Sequence, residues 1–568
     1  MTYDLLIRDG IVVDGSGMPR VRADVAVEAG RIVRIGRIRE AAKRVIDAEG
    51  RVVAPGFVDG HTHMDAQICW DPLGTCSSYH GVTSVLMGNC GFTLAPSRSN
   101  ARDLVVRNLE RSEDIAAEAM AEGIDWQWES FPEYLDALDR LPKGIHYGGY
   151  VGHSALRTYA MGERAFEERA NDDDLEAMRC ELRAGLEAGA FGFTTSRSIQ
   201  HLTPDDRPVA SRLADWDEVR SLVEVVGGVP GGLFEIANED AALTDDDARD
   251  DYFARLEQLA IDTGVPTSFG VGSMSSHPEA FREWLQMLDR ASLRGARMFA
   301  QVHARAFTIM LSFPGQLPFD GLSGWRELRA RPLEEQRECL RDPETRERLV
   351  RMAHESDYGT AVAAEARKPD FDRIFVMDSP MGPHRCVGEL ARERGIDPVE
   401  LMIEMALASD LEQHFLQPLA NENPDYVLEL MRHPRSVVTF SDAGAHVSQI
   451  SDCSIPTYVL GHWVRDEQAL TLEQAVRMLS FENASAFGLR GRGLVREGFA
   501  ADLVVFDPER IAPQMPQIAH DLPGGARRLV QYAEGISATV VAGEVLLENG
   551  KHTGALPGRL LRRGSDTA

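Results

Sequence analysis

Two histidines one residue apart, His61 and His63, follow an apolar run from Val52 to Val58. In a strand, side chains at i and i+2 share a face, so both imidazoles aim at one point near the strand's carboxyl end. A second apolar run, Ser84 to Met87, leads through Gly88 and Asn89 to Cys90. A third, from Val437, leads to the carboxylate of Asp442. Neutral imidazole is the commonest side-chain metal ligand, and two imidazoles, a thiolate and a carboxylate suit Zn²⁺. The chemistry on offer is metal-assisted hydrolysis, with Asp442 placed to take a proton from water and return it to a leaving group. Each residue also has a plainer reading: solvated loop histidines, and for Cys90 a small buried hydrophobe.

The elements that must position these groups read as an α/β chain. Eight short apolar strands are expected at 53–60, 84–90, 146–152, 190–196, 232–237, 265–271, 297–303 and 436–442. Helical periodicity falls between most of them, as in Asp173 to Ala188 and Ala248 to Thr263. Alternation of this kind predicts βαβ units closing a (β/α)₈ TIM-like barrel, with chemistry at the carboxyl ends of the strands. The two chain ends read as short strands with tight turns, each too thin to hold a core alone. They are expected to pair into one composite β-sandwich domain, residues 1–54 with 487–568, beside a barrel spanning 55–486. The connection between the last two barrel strands, about 305–435, includes a charged helical stretch from Leu333 to His354 and reads as a lid-like insertion.

The motifs together carry a resemblance. Pro55-Gly56-Phe57-Val58-Asp59-Gly60-His61-Thr62-His63, Gly88-Asn89-Cys90-Gly91, Val151-Gly152-His153-Ser154-Ala155-Leu156-Arg157 and Ser441-Asp442-Ala443-Gly444-Ala445-His446 resemble the amidohydrolase superfamily, in its D-aminoacylase (N-acyl-D-amino-acid deacylase) branch. The resemblance runs from Tyr3 to about Leu560 and implies the same barrel, metal-dependent cleavage of an amide by activated water, and His61, His63, Cys90 and Asp442 at the metal. It also exposes a departure. The branch pattern expects histidines on strands five and six, where this chain reads Gly232-Leu233-Phe234-Glu235-Ile236-Ala237 and Pro266-Thr267-Ser268-Phe269-Gly270-Val271. The strand-four lysine that bridges two metals in many amidohydrolases is missing as well. One Zn²⁺ per chain is therefore expected, with Glu235 either a replacement ligand or a strand-end carboxylate paired with an arginine. His153 and His446 are candidates to bind substrate or the developing oxyanion. Arg197 is a candidate clamp for a substrate carboxylate, or a rim salt bridge. His201 and His303 read as packing or hydrogen-bonding residues.

Composition bounds the partners. The 568-residue chain has a net charge of −29 and is 43% hydrophobic. That charge argues against nucleic acid and anionic membranes, and no apolar run approaches ~18 residues. Seven scattered cysteines do not read as a disulfide framework, and no secretory signal is visible at Met1-Thr2-Tyr3, so a cytoplasmic protein is expected. The partner is a small-molecule amide, an N-acyl-D-amino acid by resemblance, and a homo-oligomer is compatible with the large insertion. A cyclic amide or another small amide is the alternative substrate. A catalytically inactive barrel kept as a binding or scaffold protein is the alternative of a different class.

Overall fold

The structure is a computed structural model that describes residues 2–359 and 367–564. Residues 360–366 of the expected insertion and 565–568 of the expected end domain, with Met1, lie outside the described residues.

Strand β1 (Tyr3–Val12) buries Leu5, Leu6 and Ile7, exposes Arg8 and Asp9, and pairs antiparallel with β2 (Val21–Glu28), which pairs with β3 (Arg31–Gly36). Strand β4 (Ala42–Asp47) runs parallel to β1. The expected strand 53–60 is two strands. β5 (Val52–Pro55) lies between β1 and the strand Leu503–Phe506, and β6 (Phe57–Thr62) begins one residue later in a different sheet. The chain ends thus meet in one nine-stranded sheet, in the order Lys551–His552, Glu544–Glu548, Ile536–Val541, Leu503–Phe506, β5, β1, β2, β3, with β4 off that path on β1. Leu5, Val25, Val53, Leu503 and Val540 form its core. Each fully buried aliphatic side chain of this kind contributes about 1.5–3 kcal/mol.

The remaining apolar strands are parallel. β6 pairs with β7 (Val82–Met87), and β7 with β8 (His146–Gly149). After Tyr150, β9 (Val151–Gly152) opens a six-stranded sheet with β10 (Gly192–Ser196), β11 (Leu233–Ala237), β12 (Thr267–Gly270), β13 (Met298–Val302) and, past the insertion, a last strand Ser436–Val438. β6, β7, β10 and that last strand are buried at every position, as parallel strands covered on both faces are. The ends of the series lie close together. Thr62 forms a parallel bridge with Ala443, and Asn483 Nδ2 donates to the carbonyls of both Val58 and Val438.

The connection after β13 carries a four-stranded antiparallel sheet, including β14 (Phe307–Leu311), and several helices. It has its own core of Leu311, Trp325, Val376, Val399 and Phe415. The expected helix Leu333 to His354 is two helices, Leu333–Arg341 and Pro343–Glu355. Pro343 lacks the N–H a continuous helix needs, and the Asp342 side chain caps the second helix by accepting from Thr345 N–H.

Candidate active site

His61 and His63 stand at the carboxyl end of β6, both buried. Cys90 lies beyond β7 in the turn Asn89–Gly91, and Asp442 lies four residues beyond the last parallel strand. The fold brings these four together. One ligand atom from each of His61, His63 and Cys90 falls within 4.8 Å of the others. Asp442 Oδ1 lies 3.2 Å from His61 Nε2 and 3.4 Å from His63 Nε2, and Cys90 Sγ lies 3.6 Å from His61 Nε2.

The backbone is strained where it carries these groups. Cys90 (φ 54), Phe440 (φ 80), Asp442 (φ 50) and His446 (φ 47) all occupy left-handed conformations. Such residues cost of order 1–3 kcal/mol each and persist only where their surroundings hold them. The surroundings are specific. Cys90 N–H donates to Glu235 Oε2 at 2.8 Å, and Gly91 N–H to Thr194 Oγ1 at 3.0 Å. His63 N–H donates to the Ala443 carbonyl at 2.8 Å. The Phe440 ring packs edge-on to His61 at 4.2 Å.

Glu235 thus joins the cluster. It stands beside Thr194 on β10 and Ser268 on β12 in one row across three strands. Ser268 continues the arrangement: Gln301 Nε2 donates to Ser268 Oγ at 2.8 Å, and Gln301 Oε1 accepts from His61 Nδ1–H at 2.6 Å. That hydrogen bond fixes the His61 tautomer and leaves Nε2 free to face the centre. A residue absent from the expected set, Glu113, is buried with Oε2 3.4 Å from His63 Nδ1.

Acidic groups crowd here. Burial, reinforced by Asp442, Asp65 and Glu235, pushes the Glu113 carboxyl well up. Burial pushes Glu235 up to about 7. Burial, then Glu235, Asp442 and Glu113, push the Cys90 thiol well up. Burial also opposes ionisation of Asp442, but hydrogen bonding to His61 and His63 outweighs it and holds this carboxyl far below the usual range. His63 is brought down to about 4 by burial. His61, His63 and Cys90 offer ligand atoms that could hold a metal ion, and a divalent cation there would favour the ionised forms of the acidic groups around it.

The other candidates fall in different places. His446 donates its backbone N–H to the Glu113 carbonyl at 2.5 Å and lies close enough to His63 and His201 to influence both. His201, expected as a packing or hydrogen-bonding residue, is held at Nδ1 by Ser196 Oγ at 2.6 Å, and its ring meets Phe92 at 5.1 Å. Burial brings its pKa down to about 3, so it is a neutral ring beside the cluster. His153 is not part of the cluster: Nδ1 pairs with Thr195 Oγ1 and Nε2 with Glu218 Oε1, both at 2.8 Å. Arg197 is likewise engaged, with Glu239 Oε1 at 3.4 Å and the Ala214 carbonyl. His303 pairs with Asp452 at 3.0 Å, in a network that also holds Arg305.

Sequence reasoning did not find Glu113 or Gln301. Glu113 follows the helix Arg102–Glu110 in a loop without a motif. Gln301 lies inside a strand, where its polar side chain on a buried run was the one available signal.

Known proteins resemble the whole chain. A D-aminoacylase from Alcaligenes xylosoxydans xylosoxydans is 27% identical over 99% of this chain and 98% of its own length. An N-acyl-D-glutamate deacylase from the same organism is 26% identical over 100% and 98%. The crystal structure of an N-acyl-D-glutamate deacylase from Bordetella bronchiseptica, complexed with zinc and a phosphonate mimic of the tetrahedral intermediate, superposes with a TM-score of 0.65 at 25% identity, covering 99% of this chain and 100% of that one. The amidohydrolase family profile matches residues 44–547. Profile, relatives and site agree, and the chain belongs to the amidohydrolase family.

Proposed function

We propose that this amidohydrolase cleaves the amide of an N-acyl-D-amino acid or a closely related acyl amide, at a centre built from His61, His63, Cys90 and Asp442. The observation that carries the reading is the convergence of His61, His63 and Cys90 ligand atoms within 4.8 Å, with Asp442 Oδ1 against both imidazoles. The substrate class follows the names of the relatives. A bound divalent cation, Zn²⁺ by the chemistry of the donors, supplies Lewis acidity for the carbonyl and an acidified water. Asp442 accepts the proton of the attacking water and passes it to the leaving nitrogen. His201 and His446 flank the centre and orient the substrate's carbonyl, and the Gln301–His61 hydrogen bond keeps one ring aimed.

Several features belong to the same proposal. One cation per chain suits a strand-five position filled by Glu235, whose Oε2 already accepts from Cys90 N–H. The two parallel sheets, with their Thr62–Ala443 bridge, support closure into a (β/α)₈ barrel. The separate cores of the end sheet and the insertion support a composite domain of 1–54 with 487–568 and a lid-like insertion on a barrel of 55–486. No helix among the described residues is long and apolar enough to cross a membrane. Seven free cysteines support a reducing, cytoplasmic setting. Exposed Val21, Val33 and Val45 on the end sheet support a homo-oligomer.

The test is hydrolysis of a panel of N-acyl-D- and N-acyl-L-amino acids and lactams by protein purified without chelator, alongside elemental analysis. The expected result is about one zinc per chain and turnover of D-configured acyl substrates. Asp442→Ala should lower kcat at least ~10²–10⁴-fold with an unchanged circular dichroism spectrum. Full activity in that variant removes Asp442 as the base. Turnover of lactams alone redirects the substrate class, and no turnover of any amide sinks the reading.

A further inference from the structure

Two buried polar atoms beside the centre lack a hydrogen-bond partner: His63 Nδ1 and Glu113 Oε2. They lie 3.4 Å apart. An unpaired polar atom in a buried site is destabilising, and each of these is the other's available partner. The far side of the same ring, His63 Nε2, faces Asp442. His61 shows the same division of labour, with Nδ1 on Gln301 and Nε2 toward Asp442 and Cys90. A histidine that binds a metal through one nitrogen takes its tautomer and ring plane from the acceptor at the other.

We propose that Glu113 is the positioning residue for His63: its carboxylate accepts the Nδ1 proton and so presents the Nε2 lone pair to the cation site. This rests on the reading of the site as a cation-dependent hydrolase centre. The local backbone supports it. The Glu113 carbonyl accepts from His446 N–H at 2.5 Å, and the adjacent Asp114 carboxylate accepts from Ser448 N–H at 3.0 Å and Ser448 Oγ at 2.6 Å. The short loop around Glu113 therefore braces His63 with a side chain and the Asp442-bearing loop with its backbone. Glu113 acts through His63.

The test measures the zinc dissociation constant of the full-length protein by competition with a chromogenic chelator, with circular dichroism as the check on folding. Glu113→Ala is expected to weaken zinc binding about 10–100-fold. Glu113→Gln is expected to weaken it less, because an amide oxygen still accepts the Nδ1 proton but without the charge. In a His63→Ala background, Glu113→Ala should add nothing. Wild-type affinity in both single variants overturns the proposal. So does an equal loss in the His63→Ala background, which would make Glu113 a ligand in its own right. Should Glu113→Ala fail to fold, the near-isosteric Glu113→Gln decides. A wild-type chain with no zinc affinity sinks the hydrolase reading and this proposal together, whereas zinc-binding wild type with indifferent Glu113 variants sinks this proposal alone.

Discussion

Glu218→Gln is expected to destabilise the fold by about 3 kcal/mol while leaving substrate affinity unchanged. Arg157 is fully buried at 0% exposure, and its guanidinium donates from Nη1 to both Glu218 oxygens, at 2.6 and 2.5 Å. His153 Nε2 reaches the same carboxylate at 2.8 Å. Burial alone would raise the Glu218 pKa, but the hydrogen bonds from His153 and Arg157 outweigh it and bring it from 4.5 down to about 2. A drop of that size is worth about 3 kcal/mol at roughly 1.4 kcal/mol per pH unit. Breaking a buried pair by removing one charge costs about 3–5 kcal/mol, which agrees. The sign with pH follows from the depressed value. This stabilisation is complete above the unfolded pKa near ~4.3 and is lost as pH falls from about 5 towards 2. Chemical denaturation of wild type and variant should therefore show the full difference at pH 7 and a shrinking one below about pH 5. KM measured at pH 7 should not move. A difference that stays constant down to pH 4, or a raised KM with wild-type stability, would refute the view that His153 belongs to a structural network rather than to substrate.

Two further outcomes test how the site is held. A Cβ at Gly444 (φ +95) would sit 2.6 Å from the His63 carbonyl oxygen, in a conformation that L side chains rarely adopt. Gly444→Ala should therefore push the Asp442 loop off β6 and lower both zinc affinity and kcat at least about tenfold, read by chelator competition and steady-state kinetics; unchanged values would show the loop is not clamped there. At the opposite end of the strands, Arg563 donates to the carbonyls of Ala190 (2.9 Å) and Leu186 (2.7 Å), capping the helix Asp172–Glu187. Arg563→Ala should cost about 1–2 kcal/mol, seen as a Tm a few degrees lower with kcat intact.

Much of this site was legible because its parts sit at strand ends. An apolar run terminating in His61-Thr62-His63 states both the element and the direction of the side chains, and the structure puts both rings on one point. What was illegible depended on contacts distant in sequence. The break at Gly56 sends Val52–Pro55 to one sheet and Phe57–Thr62 to another, although the run looks continuous. The last parallel strand stops at Val438, short of the expected 442, because Phe440 and Asp442 take up left-handed backbone that no propensity scale anticipates. His153 looked like a site residue by its motif, yet its environment is set by Glu218, 65 residues later. Arg197 had two readings, a carboxylate clamp or a salt bridge, and its partners in the structure are Glu239 and the Ala214 carbonyl.

The missing histidines of strands five and six are better understood as replaced than as lost. Glu235 occupies the strand-five position and spends Oε2 on the Cys90 N–H, so it holds in place the left-handed turn that presents the thiol. Ser268, beside it on strand six, accepts from Gln301, whose carbonyl oxygen fixes the His61 tautomer. On the proposed reading, these two positions aim Cys90 and His61 instead of binding a cation themselves. Both histidines keep Nε2 toward the centre because their Nδ1 atoms face oxygen acceptors: the neutral amide of Gln301 for one, the carboxylate of Glu113 for the other.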